Sequence, residues 1–243
     1  LAIASCLAFG ASAQDYPSKD KVVTIVVPFA AGGPTDRVAR DLAEALRKPM
    51  GGVSVVVDNT AGAGSSIGAA RVARATPDGY TIFYNTSAIV IGPALYGKVN
   101  YDTLKDFAPV ALTASVPMVL VVNPQLPARS VKEFLDLAKS RPGALNYSSS
   151  GTGTITHLAS AMMSTQTGVQ TQHIPYKGSG QAKPALLGNQ TETMVDALGS
   201  ALPLHQGGQA KILAIASNKR SSLAPDVPTV NEALGIKGFE AVL

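Results

Sequence analysis

Two short stretches place small residues where a strand gives way to a helix, and both suit the binding of an anion. Ala30 to Asp36 reads AAGGPTD and Ser149 to Thr154 reads SSGTGT. The first N–H groups of a helix have no partner inside it, and the aligned peptide dipoles put positive potential there. A carboxylate or phosphate is stabilised at such a terminus. Glycine lets a ligand approach the backbone, and Ser and Thr hydroxyls add donors. A single loop of this kind is equally a tight turn that needs glycine. Two of them, in two separate strand–helix series, point to a cleft.

Catalytic templates mostly fail. The sequence holds no G-x-x-x-x-G-K-[ST] loop and no H-E-x-x-H. His157, His173 and His205 are too far apart to suggest a local zinc site, and each reads as a surface or core histidine. Gly62, Gly64 and Gly68 miss the G-x-G-x-x-G spacing of a dinucleotide loop by one residue, and the next acid is Asp78. No cofactor or metal is implied. The charge is +4 from 20 Lys+Arg against 16 Asp+Glu, spread thinly along the chain. A nucleic-acid binder concentrates its basic residues, so that class is disfavoured. At 46% hydrophobic and 15% charged residues the chain has an adequate core, which excludes intrinsic disorder. No apolar run reaches the roughly 20 residues that span a bilayer.

The first residues, LAIASCLAFGASA, are apolar and small and turn polar at Gln14 and Asp15. Ala11-Ser12-Ala13 reads as a signal cleavage site behind an apolar segment, which directs the protein to the periplasm. Ile3-Ala4-Ser5-Cys6 also resembles a lipoprotein box, but the residues after Cys6 stay apolar, which favours cleavage after Ala13. Cys6 is the only cysteine, so the mature protein is expected to carry no disulfide.

The elements that must position the two loops alternate between strand and helix. Strands are expected over Val22–Phe29, Val53–Val57 and Tyr80–Tyr84, with helices from Pro34 to Lys48 and from Ile67 to Arg74. Pro109–Val122 reads as a long buried strand. Ser130 with Glu133 caps a helix over Val131–Ser140, and a short strand, Leu145–Ser148, leads into the second loop and a helix over Ile155–Thr167. Further elements are expected at Gln170–Ile174, Gly180–Leu187, Thr193–Ala197 and Lys211–Ser217, and Thr229 with Glu232 forms another capping box. The alternation implies α/β architecture with parallel sheets flanked by helices. Phe239 to Leu243 ends in an apolar run that reads as an interrupted strand, as if the C-terminal end were missing.

Several motifs then converge. Pro28-Phe29-Ala30-Ala31-Gly32-Gly33-Pro34-Thr35-Asp36, Asn59-Thr60-Ala61-Gly62-Ala63-Gly64, Ser149 to Thr154 with His157-Leu158, and Pro175-Tyr176-Lys177-Gly178 resemble, in order, the blocks of the tripartite tricarboxylate transporter receptors, or Bug family. Asp196, and Pro228-Thr229 with Glu232, match as well. The resemblance runs from Tyr16 to the last residue. It implies a two-lobed, type II periplasmic-binding fold of the Venus-flytrap kind, each lobe a mostly parallel sheet flanked by helices. Residues 1–13 are then a signal remnant, 14–118 lobe 1, 119–224 lobe 2, and 225–243 the start of a return toward lobe 1. The implied function is non-enzymatic capture of a small organic anion, gripped by backbone amides and ordered water, for delivery to integral-membrane transporter subunits. The receptor is expected to be a monomer.

Carried over by position, the resemblance implies that Phe29, Ala31, Gly32, Gly33, Thr35 and Asp36 form one side of the cleft. Ser149, Gly151, Thr152, Gly153 and Thr154 face it, with Tyr176, Lys177, Gly178 and Asp196 nearby and Thr86 and Ser87 as further polar contacts. Asp36 is equally a cap, Lys177 equally a solvated charge, and Asp196 equally a structural turn acid or a selector of an amino or amide group. Two positions depart from the family pattern: Ala159 to Met163 lacks its usual acid, and Ser65-Ser66 replaces its usual double glycine. Two rival readings stay open. One keeps the binding but docks the closed receptor on a sensor kinase. The other is an exported hydrolase using a Ser or Thr of the 149–154 loop, against which stands the absence of a recognisable nucleophile–base pair.

Overall fold

The continuous β-branched run after Lys21 becomes strand β1 (Val22–Val27), in which Val23, Ile25, Val26 and Val27 are fully buried. Both faces are therefore covered, as such a run requires. The computed structural model to which β1 belongs describes residues 16–243, so the leader and both of its cleavage readings lie outside the described residues. β2 (Ser54–Asn59) and β3 (Thr81–Phe83) flank β1, both parallel to it, in the order β2-β1-β3. Helix α1 (Pro34–Arg47) connects β1 to β2 and lays Ala39, Leu42, Ala43 and Leu46 on the sheet, the i, i+3, i+4, i+7 stripe of an amphipathic helix. Helix α2 (Ser66–Ala73) connects β2 to β3.

A second sheet is built from β4 (Met118–Val122), β5 (Leu145–Ser149), β6 (Thr171–Pro175), β7 (Thr193–Ala197) and β8 (Lys211–Ala216), in the order β6-β5-β7-β4-β8. β5 runs parallel to β6 and β7, while β4 runs against β7 and β8. The period of two along β4 divides the core. Met118, Leu120 and Val122 pack against α4 (Val131–Ser140), α5 (Ile155–Thr167) and Phe239. Val119 and Val121 pack on the other face against α6 (Ser179–Leu187) and α7 (Leu198–Gln206). The last helix, α8 (Val230–Leu234), begins at the expected capping box: Thr229 Oγ accepts the Glu232 N–H at 3.0 Å and Glu232 accepts the Thr229 N–H at 3.0 Å. Beyond it, Val116 and Leu243 exchange both backbone hydrogen bonds at 2.8 Å.

One expected strand is much shorter than expected, and two helices lie where no element was expected. The strand expected over Pro109–Val122 starts only at Met118; Val110 and Leu112 are 90% and 87% exposed. The segment is apolar, but among the described residues no strand lies alongside residues 109–115, and an unpaired backbone stays in irregular structure where water satisfies it. The helices α3 (Ala88–Tyr96) and α7 are not among the expected elements, and each has a proline inside it, Pro93 and Pro203. In α3 the carbonyl that Pro93 leaves without its helical donor is that of Ile89. It accepts instead from the Tyr101 hydroxyl at 3.0 Å and the Thr103 hydroxyl at 3.1 Å, so the helix continues through the proline.

The turn after β2 carries visible strain. Ser65 holds φ 90°, a left-handed backbone that costs an L-residue about 1–2 kcal/mol. Its hydroxyl is buried with no hydrogen-bond partner among the described residues. Ser65→Gly is therefore expected to raise stability by about 1 kcal/mol, a gain of roughly 2–4 °C in melting temperature for a chain of this size. Thr229→Ala should lower it by about 1 kcal/mol through loss of the cap. Paired urea and thermal melts against the parent check both signs.

Candidate functional site

Both anion-type loops leave their sheets where strand order reverses. From β1 the chain goes first to β2 on one side and then to β3 on the other. From β5 it goes to β6 and then back across to β7. A crevice opens at the carboxyl end of strands at such switch points, because successive helices depart to opposite faces of the sheet.

The first loop is braced from behind by one carboxylate. Asp36, 4% exposed, accepts the Gly32 N–H at 2.9 Å, Arg40 Nε at 3.1 Å and Asn59 Nδ2 at 2.9 Å. Asn59 also donates to the Phe29 carbonyl at 3.0 Å, tying the loop to the end of β2. Burial alone pushes the Asp36 carboxyl up, but the bonds from Arg40, Gly32 and Asn59 outweigh it and hold the group below the usual range. Asp36 thus fixes the loop and does not line the cleft. Ala31 and Gly32 are exposed at the tip, while Phe29, Gly33 and Thr35 face inward.

The second loop is braced by its own hydroxyls. Thr154 Oγ1 donates to the Gly151 carbonyl at 2.7 Å, and Thr156 Oγ1 accepts the Ser150 N–H at 2.9 Å. Ser149 Oγ, fully buried, accepts the Gly151 N–H at 3.1 Å and shares a 2.6 Å hydrogen bond with His173 Nε2. That contact is the serine–histidine pair the sequence did not reveal, because Ser149 and His173 lie on adjacent strands, β5 and β6. It lacks the features of a nucleophile. The hydroxyl is out of reach of solvent, and among the described residues no carboxylate bonds His173 to orient it.

Between the loops lies a narrow cleft. The N-termini of α1, α5 and α6 line it through Gly33 to Thr35, Thr154 to Thr156, and Ser179. Among the described residues no side chain caps any of these three helices, and no lysine or arginine lines the cleft. Thr86 reaches it from beyond β3, and Asp196 from β7. Asp196 is 1% exposed and neither of its oxygens has a hydrogen-bond partner among the described residues. Burial pushes its carboxyl up, against the pull of Lys183 and the nearby Ser200 and Ser179 hydroxyls.

The remaining expected residues fall around this centre. Gly151, Thr152, Tyr176 and Lys177 line an adjoining recess with Phe29 and Gly64. Gly178 immediately precedes α6, with the Ala30 N–H donating to the neighbouring Lys177 carbonyl at 2.8 Å. Gly153 is buried in its loop, and Ser87 sits exposed at the start of α3, away from the cleft lining. The sequence reading left Ser150, Thr156 and Ser179 off the cleft. A hydroxyl in the first turn of a helix that follows a glycine was the signal available for Ser179. Two approaches across the cleft admit only glycine: a Cβ on Gly180 would lie 2.2 Å from the Ala31 carbonyl oxygen, and one on Gly64 2.2 Å from that of Thr152. Tyr96 adds a hydroxyl bond to the same Thr152 carbonyl at 2.8 Å.

Comparison with known proteins agrees with this geometry. The profile of the tripartite tricarboxylate transporter family receptor matches residues 38–243. The structure of the periplasmic binding protein BugD superposes with a TM-score of 0.88 at 39% identity, over 92% of this chain and 74% of that one. The R. palustris protein Rpa4515 with adipate gives 0.89 at 36% identity, over 94% and 75%. MatC from Rhodopseudomonas palustris with bound malate gives 0.83 at 35%, over 91% and 75%. The relatives are solute-binding receptors with the α/β periplasmic-binding fold, built, like the chain described here, from two parallel-rich sheets with helices around them. With a profile match over most of its length and three such neighbours, the chain belongs to the tripartite tricarboxylate transporter receptor family.

Proposed function

We propose that this receptor captures a small organic acid by its carboxylate in the cleft and delivers it to integral-membrane transporter subunits. The observation that carries the reading is the convergence of three uncapped helix N-termini on one cleft without a cationic side chain. Backbone amides and helix dipoles are then what an anion meets there, and in a site shielded from water they bind it strongly. The adipate and malate held by the two related proteins support a carboxylate as the ligand class. Closure follows from the same geometry. The ligand touches both loops only when Ala31 nests against Gly180 and Gly64 against Thr152, so it favours the closed form by its extra contacts there.

The hydrolase alternative has one observation in its favour, the Ser149–His173 contact, and the burial of that hydroxyl argues against it. Docking on a sensor kinase uses the same capture step. Adjacent genes for permease subunits or for a kinase separate the two outputs.

A thermal-shift panel of adipate, malate and their neutral diamides tests the reading, with an added dye because the chain has no tryptophan. A ligand at about 100 times its dissociation constant adds about 2.7 kcal/mol, a rise of roughly 5–10 °C. A rise with the acids alone is expected; flat melts of a cooperatively folding protein across a wider carboxylate panel would sink the proposal. Asp196 supplies a second check. Its folded carboxyl titrates above the ordinary value of 3.8, so the folded state holds the proton more tightly than the unfolded chain. The associated stability is complete below 3.8 and is lost as pH rises through the folded value. Asp196→Asn, which mimics the protonated acid, should therefore be more stable than the parent at pH 7, with the difference gone near pH 3, as read by urea melts at the two pH values.

A further inference from the structure

Behind the second loop, Tyr147 of β5, His157 of α5 and His173 of β6 form a stack of three rings. The two imidazoles lie 4.2 Å apart at 21°, and Tyr147 is 4.8 Å from His173 and 6.5 Å from His157. Each imidazole holds a different end of the loop. His173 Nε2 bonds Ser149 Oγ at 2.6 Å, and that oxygen takes the Gly151 N–H. His157 Nδ1 accepts the Gly153 N–H at 3.2 Å. An Nδ1 that accepts a hydrogen bond carries no proton, so this contact exists only with His157 neutral. The loop's own hydroxyl bonds brace its middle, but nothing else among the described residues receives the Gly153 N–H.

We propose that His157 and His173 are positioning residues for ligand binding: as a stacked, neutral pair they pin both ends of residues 149–153 and so aim the amides that the second sheet offers the ligand. The proposal rests on the reading of this loop as part of the ligand cleft. Surroundings favour the neutral pair. The titratable groups that face the rings are Tyr147 and each other, and among the described residues no carboxylate or ammonium bonds either ring. Burial pushes both imidazoles down, and His173, with the charge of His157 beside it, is pushed to about 4. A proton on His157 Nδ1 replaces the acceptor with a donor facing the Gly153 N–H, and it places a cation 4.2 Å from the second ring. Acid therefore releases the loop's far end.

The deciding experiment measures the dissociation constants of adipate and malate by calorimetry between pH 7.5 and 4.5, for the parent, His157→Asn and His157→Leu. Asparagine puts an oxygen acceptor close to the position of Nδ1 and does not titrate; leucine removes the acceptor. Comparing variants at each pH cancels the ligand's own titration. One hydrogen bond to the loop is worth about tenfold in affinity. His157→Leu should bind about tenfold more weakly at neutral pH. His157→Asn should bind like the parent there and retain its affinity in acid, where the parent weakens. Amide exchange of Gly153, followed by NMR on the same proteins, should quicken in His157→Leu and, for the parent, in acid. Parent and His157→Asn profiles that superpose, or a Gly153 amide equally protected in His157→Leu, overturn the proposal while the loop's role in binding stands. If bound adipate or malate leaves the amides of 149–154 unshifted in the parent, the ligand-loop reading itself fails and the positioning role falls with it. Should His157→Leu not fold, His157→Asn and the parent's own amide exchange still decide.

Discussion

The first N–H groups of a helix must find an acceptor, and three helices of this protein begin at one cleft without a side chain to supply it. Most of the architecture around the cleft answers to that constraint. Parallel strand–helix order puts helix N-termini at the carboxyl ends of strands, and the reversal of strand order in each sheet opens the crevice there. Asp36 and the Thr154–Thr156 hydroxyls engage the loops from behind or within, so the loops hold their shape while the helix termini stay open. The cleft presents backbone placed by the fold, with no arginine or lysine at it among the described residues, and this supports the proposed preference for an anion.

This design also explains where charge sits. Asp36 is a buried carboxylate with three kinds of donor around it, and its role is mechanical. Asp196 is a buried carboxyl that makes no hydrogen bond among the described residues, close to the helix termini of the candidate cleft. The imidazoles of His157 and His173 take a third course: burial pushes both down, and His157 accepts the Gly153 N–H. Three titratable environments thus surround the candidate cleft, and burial acts on each with a different set of partners.

Contact between the two halves depends on small residues as much as on the anion loops. Gly64 and Gly180 let backbone from one sheet's loops approach a carbonyl from the other's at distances that any side chain forbids. Nearby, Ser65 adopts a backbone that suits glycine, so the turn keeps its shape at a local energetic cost. That the turn holds with serine there reflects the over-determination of its backbone by β2, α2 and the facing Thr152 loop.

Local chemistry was fully legible from the residues in order. The β-branched run of β1, the proline and acid at the start of α1, the capping box at Thr229 and the two glycine-rich loops each follow from interactions within a few residues of chain, so sequence suffices to read them. Apolar character misled where pairing was decisive: residues 109–117 look like strand, but a strand exists only where another lies beside it. The persistence of α3 through Pro93 is likewise non-local, because the orphaned Ile89 carbonyl is satisfied by Tyr101 and Thr103, more than ten residues away. The Ser149–His173 bond, the three-ring stack and the convergence of α1, α5 and α6 were beyond the sequence. Each joins positions whose proximity is set by strand order and register, and those are fixed by the packing of whole sheets.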